Sequence, residues 1–183
     1  MSNSKCKGLL SRLLIVLALC FLQINSVRAE KIEKCDTESC VNYFKQYKKA
    51  AKRGHSLAML TLGQFYHHGY GTKVNEKLAL KYFKKAARAG YTSAQFKAGY
   101  IYMSSDELRD IDKSIEYLEK ASKYNYKGSD FLLGMIYLEE KYGERNLTKA
   151  DEHFVKSYKR KYEQMLKVVE YLEAKKQLTS EHF

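Results

Sequence analysis

The chain repeats itself at a spacing of 35 or 36 residues, and that periodicity restricts the fold more than any other feature of its 183 positions. Lys84-Lys85-Ala86-Ala87 returns as Glu119-Lys120-Ala121-Ser122, a shift of 35, and as Val155-Lys156-Ser157 a further 36 on. Leu62-Gly63-Gln64-Phe65-Tyr66 returns as Ala98-Gly99-Tyr100-Ile101-Tyr102 and as Leu133-Gly134-Met135-Ile136-Tyr137. A unit of this size cannot bury its apolar face alone, so copies must stack on their neighbours to build a continuous core.

Each unit reads as two helices. First helices are predicted near 55–67, 91–103, 127–140 and 162–178, second helices near 75–89, 110–124 and 146–160, with an extra leading one at 37–53. The apolar spacing is helical, as in Leu78, Tyr82, Phe83 and Ala86, or Ile115, Tyr117, Leu118 and Ala121. Asn75, Asp110 and Asn146 stand at equivalent places and are good N-caps for the second helices, and Asp36 or Thr37 would cap the leading one. The turns after the second helices fall on Gly54, Gly90, Asn125 and Lys161, where a left-handed residue commonly ends a helix. Lys161 suits that conformation poorly, so the last junction is expected to be strained or differently shaped. Gly63, Gly99 and Gly134 share one interior position, which predicts that two helices approach closely there. Glu170 and Glu173 replace the Gly and Tyr of that pattern in the fourth first-type helix, as suits a polar terminal cap.

Composition agrees. At a usual share of ~5%, about 9 prolines would be found in a chain this long; there are none. Pro breaks helix interiors, so its absence suits an all-α chain and excludes Pro-rich, collagen-like and low-complexity classes.

His55 to Gly90 resembles one Sel-one-like repeat, a relative of the tetratricopeptide repeat. The residues that carry the likeness are Ala58, Leu62-Gly63, Tyr66, Gly69-Tyr70-Gly71, Ala79 and Tyr82-Phe83-Lys84-Lys85-Ala86-Ala87-Arg88-Ala89-Gly90. The second and third units lack the Gly-x-Gly loop, with only Gly143 near the equivalent place in the third. The resemblance covers residues 37 to about 178 and implies an all-α, right-handed α-solenoid of helix-turn-helix repeats, a tetratricopeptide-like superhelix. Its parts are an N-terminal segment and capping helix at 30–54, repeats at 55–90, 91–125 and 126–161, and a C-terminal capping helix and tail at 162–183.

The resemblance also implies that first helices line the concave side. The positions there are Leu57, Leu60, Gln64, His67 and His68, then Ser93, Phe96, Tyr100 and Met103, then Gly128, Phe131, Met135, Leu138 and Glu139. The fourth helix adds Gln164, Lys167, Tyr171 and Lys175. The apolar and aromatic stripe of Leu60, Gln64, His67, Phe96, Tyr100, Met103, Phe131, Met135, Leu138 and Tyr171 is the candidate partner-binding groove for a protein or peptide. Tyr100 and Met135 are expected exposed; Phe96 and Phe131 fit exposure and core burial equally.

The first 29 residues read as an address. Lys5, Lys7 and Arg12 precede an apolar run from Leu13 to Leu22, and Val27-Arg28-Ala29 supplies a cleavage site after Ala29. This is the layout of a secretory signal peptide, and the run is shorter than the roughly 20 residues of a membrane span. A retained anchor is the alternative, while bulky Leu19 before Cys20 argues against a lipoprotein. The expected mature chain is periplasmic or secreted, with no stable membrane span. The formal charge of +12 then shrinks: residues 1–29 hold four basic residues and no acidic one, leaving 29 basic against 21 acidic, or +8. That remainder reads as Lys on solvated helix faces, and nucleic acid is not an expected partner. Cys6 and Cys20 leave with the address, and Cys35 and Cys40 are expected to pair as a disulfide in an oxidising compartment. A zinc site is disfavoured because Cys-x4-Cys has no second ligand pair at a usual spacing.

No residue set looks catalytic and no cofactor is implied. His67-His68 lacks an accompanying carboxylate or Cys at helical spacing, and neighbouring side chains are expected to diverge on a helix. Gly69-Tyr70-Gly71 follows no strand and so is not a phosphate loop. Asp110, Asp112 and Glu116 suit the positive end of a helix. The sequon Asn146-Leu147-Thr148 begins on a helix cap. The function read from the sequence is a non-catalytic exported scaffold or adaptor. Two alternatives stand beside it: a structural part of an envelope or flagellar motor complex binding through convex or end surfaces, and a cell-wall enzyme or enzyme subunit. The oligomeric state is not encoded in any of these features.

Overall fold

The computed structural model describes Cys35 and residues 37–170. Residues 1–29, expected from the sequence to be a signal peptide, fall outside the described residues, as do Asp36, Tyr171, Glu173 and the tail. Residues 33–162 form one compact unit; residues 163–170, which are helical, belong to another. Among the described residues there are helices and no strands. In the larger unit they run α1 (Glu38–Lys52), α2 (Ser56–His68), α3 (Glu76–Arg88), α4 (Thr92–Ser104), α5 (Ile111–Lys123), α6 (Ser129–Leu138), a 3-10 turn (Glu140–Tyr142) and α7 (Leu147–Lys159). Each helix packs chiefly on the next in sequence. The fold is an all-α helical-repeat solenoid.

The helix starts follow from their caps. Asn75, Asp110 and Asn146 accept the backbone N–H of Leu78, Lys113 and Lys149 at 2.8, 3.0 and 3.0 Å. Thr37, not Asp36, caps α1. The loops that precede these caps differ in sequence yet end alike. The cap N–H of Asn75, Asp110 and Asn146 donates to the carbonyl of Tyr66, Tyr102 and Tyr137 at 2.8, 2.9 and 2.8 Å. That bond holds the register of the helix pair where the Gly-x-Gly loop is missing. In the second unit buried Ser105 adds an anchor, donating to Glu76 Oε2 at 2.6 Å.

The shared glycines mark close helix approaches, as the repeat spacing predicts. A Cβ at Gly63 would lie 2.6 Å from the Phe83 ring, one at Gly99 2.8 Å from Leu118, and one at Gly134 2.7 Å from Phe154. Phe83, Leu118 and Phe154 are buried, so none has room to retreat. Burying a side chain of this size stabilises the fold by about 1.5–3 kcal/mol. Beside each contact the repeat Tyr stacks on a ring of the second helix: Tyr66 on Tyr82 at 5.9 Å, Tyr102 on Tyr117 at 5.9 Å, Tyr137 on His153 at 5.8 Å.

The turns after second helices are left-handed at Gly54, Gly90, Asn125 and Lys161, the last with φ 52°. The final junction therefore keeps the shape of the others and places Lys161 in a conformation that costs an L-residue about 1–2 kcal/mol. The third first-type helix is shorter than the spacing suggests. It stops at Leu138, and the 3-10 turn up to Gly143 (φ 141°) takes the place of its last residues. At the other end of the unit, Phe44 meets Tyr66 edge-on at 5.4 Å, and Gly71 N–H donates to the Cys35 carbonyl at 2.7 Å. A Cβ on Gly71 would strike the Cys40 carbonyl.

Candidate functional site

Three first helices contribute to one pocket. The last turn of α2 supplies His67 and His68, the middle of α4 supplies Phe96, Lys97, Tyr100 and Ile101, and α6 supplies Leu132; Phe83 of α3 and Tyr162 complete a hollow of about 220 Å³. Gly69, left-handed at φ 76°, ends α2 immediately after the two histidines.

The walls are mostly rings. His67 stands 6.3 Å from Tyr100, nearly perpendicular to it, and 6.5 Å from Phe83. Phe96 lies 4.8 Å from Tyr126, and the Lys97 ammonium sits 5.9 Å from the centre of the Phe83 ring. The histidines do not diverge: their rings meet edge to face at 4.8 Å, and His68 also leans on Tyr70 at 5.2 Å. The expectation of divergence assumed continued helix, whereas α2 ends at His68 and the chain turns back at Gly69.

The electrostatics of this pocket are unusual for a helical core. Burial holds His67 below the ordinary histidine value, helped by the charges of His68 and Lys97 and opposed by Glu76. Burial and Lys97 do the same to His68, and burial lowers Lys97 itself. The Nδ1 atom of His67 is buried without a hydrogen-bond partner. Among the described residues no carboxylate lies within ion-pair distance of Lys97. Three nitrogen-bearing groups thus share an apolar hollow, and among the described residues Glu76 is the acid whose charge reaches His67.

A second polar cluster is built in the opposite way. Asp130 is 1% exposed and its pKa is low: burial pushes it up, but hydrogen bonds from His153 and Ser122 and the charge of Arg160 outweigh that. Ser122 Oγ donates to Asp130 Oδ1 at 2.9 Å, His153 Nδ1 lies 3.0 Å from the same oxygen, and Arg160 pairs with Oδ2. Both carboxylate oxygens are satisfied, and the cluster ties α5, α6 and the end of α7 together.

The structure sorts the stripe read from the sequence. His67, Phe96 and Tyr100 come together in the pocket, with Tyr100 39% exposed. Gln64 and Leu138 are half-buried and do not line it. Leu60, Met103, Phe131 and Met135 are core residues; Met135, expected exposed, is 5% exposed. Phe131 is covered by Phe154 at 6.0 Å and Tyr162 at 5.5 Å. Lys97, Leu132 and Tyr162 were missed. Lys97 was legible, since it lies three residues before Tyr100 and so on the same helix face.

Comparison with known proteins agrees with this architecture. The Sel1 repeat model matches residues 56–91, 92–123 and 129–162, more than half of the chain. The chain belongs to the Sel1 repeat family. Sel1 repeats generally mediate protein–protein interaction as scaffolds. A Sel1 repeat protein from Oxalobacter formigenes superposes with a TM-score of 0.57 at 24% identity, over 64% of this chain and 48% of its own. The protective antigen c5321 of uropathogenic Escherichia coli, which displays an SLR fold, gives 0.61 at 24% identity, over 66% of this chain and 26% of its own. This chain thus spans about half of the first and a quarter of the second, and the likeness is one of fold. No curated protein matches it. Among the described residues no helix is long and apolar enough to cross a membrane.

Proposed function

We propose that this Sel1 repeat chain is an exported, non-catalytic scaffold that binds a protein or peptide along its first helices, the side that kinship with tetratricopeptide repeats makes concave. The observation that carries this reading is the pocket itself, which draws on α2, α4 and α6 and leaves Tyr100 at its mouth and the polar groups of His67 and Lys97 unpaired. The groove is narrower than the sequence stripe: Gln64, His67, Phe96, Tyr100 and Leu138 remain available, while Leu60, Met103, Phe131 and Met135 support it from the core. Replacing Tyr100 with Glu should abolish in-cell crosslinking to the partner, whereas Tyr158→Glu, at a site 48% exposed on α7, should leave it intact. Unchanged capture by the Tyr100 variant would sink the groove.

Export is part of the same proposal. The Cys35 and Cys40 Cα atoms are 5.7 Å apart, inside the span a disulfide requires. The pair would clip Cys35 to the first turn of α1, where Gly71 also docks. Mass spectrometry of the unreduced exported protein tests both points: a retained 1–29 segment contradicts cleavage, and free thiols contradict the disulfide. The competing reading, attachment through outer surfaces, has one observation in its favour. Lys77, Lys81, Lys84, Lys85 and Arg88 surround a hollow of about 290 Å³ with Leu80 and Leu108. Loss of capture on reversing those charges, with the Tyr100 variant unaffected, would favour it.

A further inference from the structure

The pocket at His67, Lys97 and Tyr100 has a chemistry more specific than an aromatic groove. Its hollow of about 220 Å³ falls below the roughly 300–1,000 Å³ of small-molecule sites, so it holds one residue and not a whole ligand. Phe83, Phe96, Ile101 and Leu132 ask for an apolar body. Lys97 offers donors and no acceptor, and His67 and His68 become donors on both nitrogens when protonated. The three groups line one hollow, with the histidine rings 4.8 Å apart. Glu76, the one acid that His67 senses, already accepts Ser105 Oγ at 2.6 Å.

We propose that this pocket receives the C-terminal residue of a partner protein, its apolar side chain against Phe83, Phe96 and Leu132 and its free carboxylate against Lys97, His67 and His68. The inference rests on the groove reading and names what the groove recognises. A carboxylate is acceptor-only and negative, the complement of the Lys97 ammonium and of the partnerless His67 Nδ1, and its charge would favour the protonated form of both histidines. A chain terminus carries that carboxylate directly beside its own side chain, matching a small hollow that is apolar on its walls and positive at one edge. An internal Asp or Glu would bring the charge without an apolar body. A phosphate group would leave the rings solvated. Burial raises the worth of the match, because Lys97 loses water in the folded protein and gains the face of the Phe83 ring but no carboxylate in exchange.

The test uses single-residue probes on the mature, oxidised protein, reading the ring resonances of His67 and His68 by NMR. N-acetylphenylalanine mimics a chain terminus, its primary amide removes the charge and keeps the body, and N-acetylglutamic α-amide mimics an internal acid. The free acid should bind about tenfold more tightly than either control, the worth of one charge-assisted hydrogen bond. Lys97→Met should bring the free acid down to the level of the amide without altering amide binding, and His68→Gln should weaken only the acid. Equal affinity for acid and amide would leave an apolar pocket and overturn the proposal. Equal affinity for the glutamate probe would make the pocket a reader of acidic side chains, and no response of the histidine rings to any probe would remove the site. Failure here with Tyr100→Glu still blocking partner capture leaves the groove standing and discards only the terminal carboxylate. Failure of both discards the groove.

Discussion

Asp130 and Lys97 are both withdrawn from solvent, one in the third repeat and one in the second, and their neighbourhoods differ in kind. Both carboxylate oxygens of Asp130 meet a partner: Ser122, His153 and Arg160 surround a group that is 1% exposed. Around Lys97 the neighbours are Phe83, Phe96, Tyr100 and two histidines that its charge holds toward the neutral form. Asp130, His153 and Arg160 occupy the places of Met59, Tyr82 and Ala89 in the first unit. Where the first unit has three uncharged residues, the third has a polar set whose members complete each other. No such compensation accompanies Lys97. A buried charge that is fully partnered is part of the scaffold, whereas the half-buried Lys97, with no ion-pair partner among the described residues, is the group the proposed carboxylate would complete.

The difference can be broken experimentally, most strongly at Arg160. Arg160→Leu leaves Asp130 buried with its principal counter-charge gone, and should cost about 3 kcal/mol or more in urea denaturation. A loss under about 1 kcal/mol would show that the cluster is not the anchor its geometry suggests. Gly99→Ala comes next. The added methyl meets fully buried Leu118 at 2.8 Å and the Ser114 carbonyl at 3.2 Å, so a loss of about 1–3 kcal/mol is expected.

The pH dependence separates the two regions by sign and by range. His67 and His68 are held below the ordinary 6.5, so the folded protein binds fewer protons than the unfolded chain just below that pH. Their stabilising contribution is complete above pH 6.5 and is lost as pH falls through the folded value. The groups that face them are Lys97, Tyr100, Glu76, Tyr70 and Tyr162. Asp130, held below 3.8, contributes above that value and is lost only at stronger acidity. His67→Phe should flatten the stability profile just below pH 6.5 and leave the acid limb unchanged; a profile unchanged throughout would contradict the burial of His67. The smallest effect is expected at Lys97. Lys97→Leu removes an unpaired, half-buried cation and should alter stability by no more than about 0.5 kcal/mol in the unfavourable direction. A loss like that of Arg160→Leu would mean that Lys97 is structural, and the contrast would fail.

Much of the scaffold was legible in the sequence because it rests on local rules repeated three times. The caps at Asn75, Asp110 and Asn146, the close approaches at Gly63, Gly99 and Gly134, and the left-handed turns at Gly54, Gly90 and Asn125 all follow from residue type and position, whereas at Lys161 the repeat position prevails over a residue type that suits the turn poorly. The site was legible in part. Tyr100 and Phe96 lie on the face the spacing assigns, but spacing does not say how the next unit covers it. Phe131 is buried because Phe154 and Tyr162 arrive from further along the chain, and Met135 is 5% exposed in the same helix. The Asp130 cluster joins residues 23 and 30 positions apart. Its trace in the sequence is the simultaneous departure of three repeat positions, visible only once the units are aligned and read as a set.

The claim on which the rest depends is that the partner is engaged at the unpaired pocket and not on the outer helices. A photo-reactive phenylalanine placed at Tyr100, and in a separate protein at Tyr158, with crosslinking in cells that export the chain, tests it directly. An adduct of defined mass from position 100 and none from position 158 is the expected result. An adduct from position 158 with none from position 100 would contradict it.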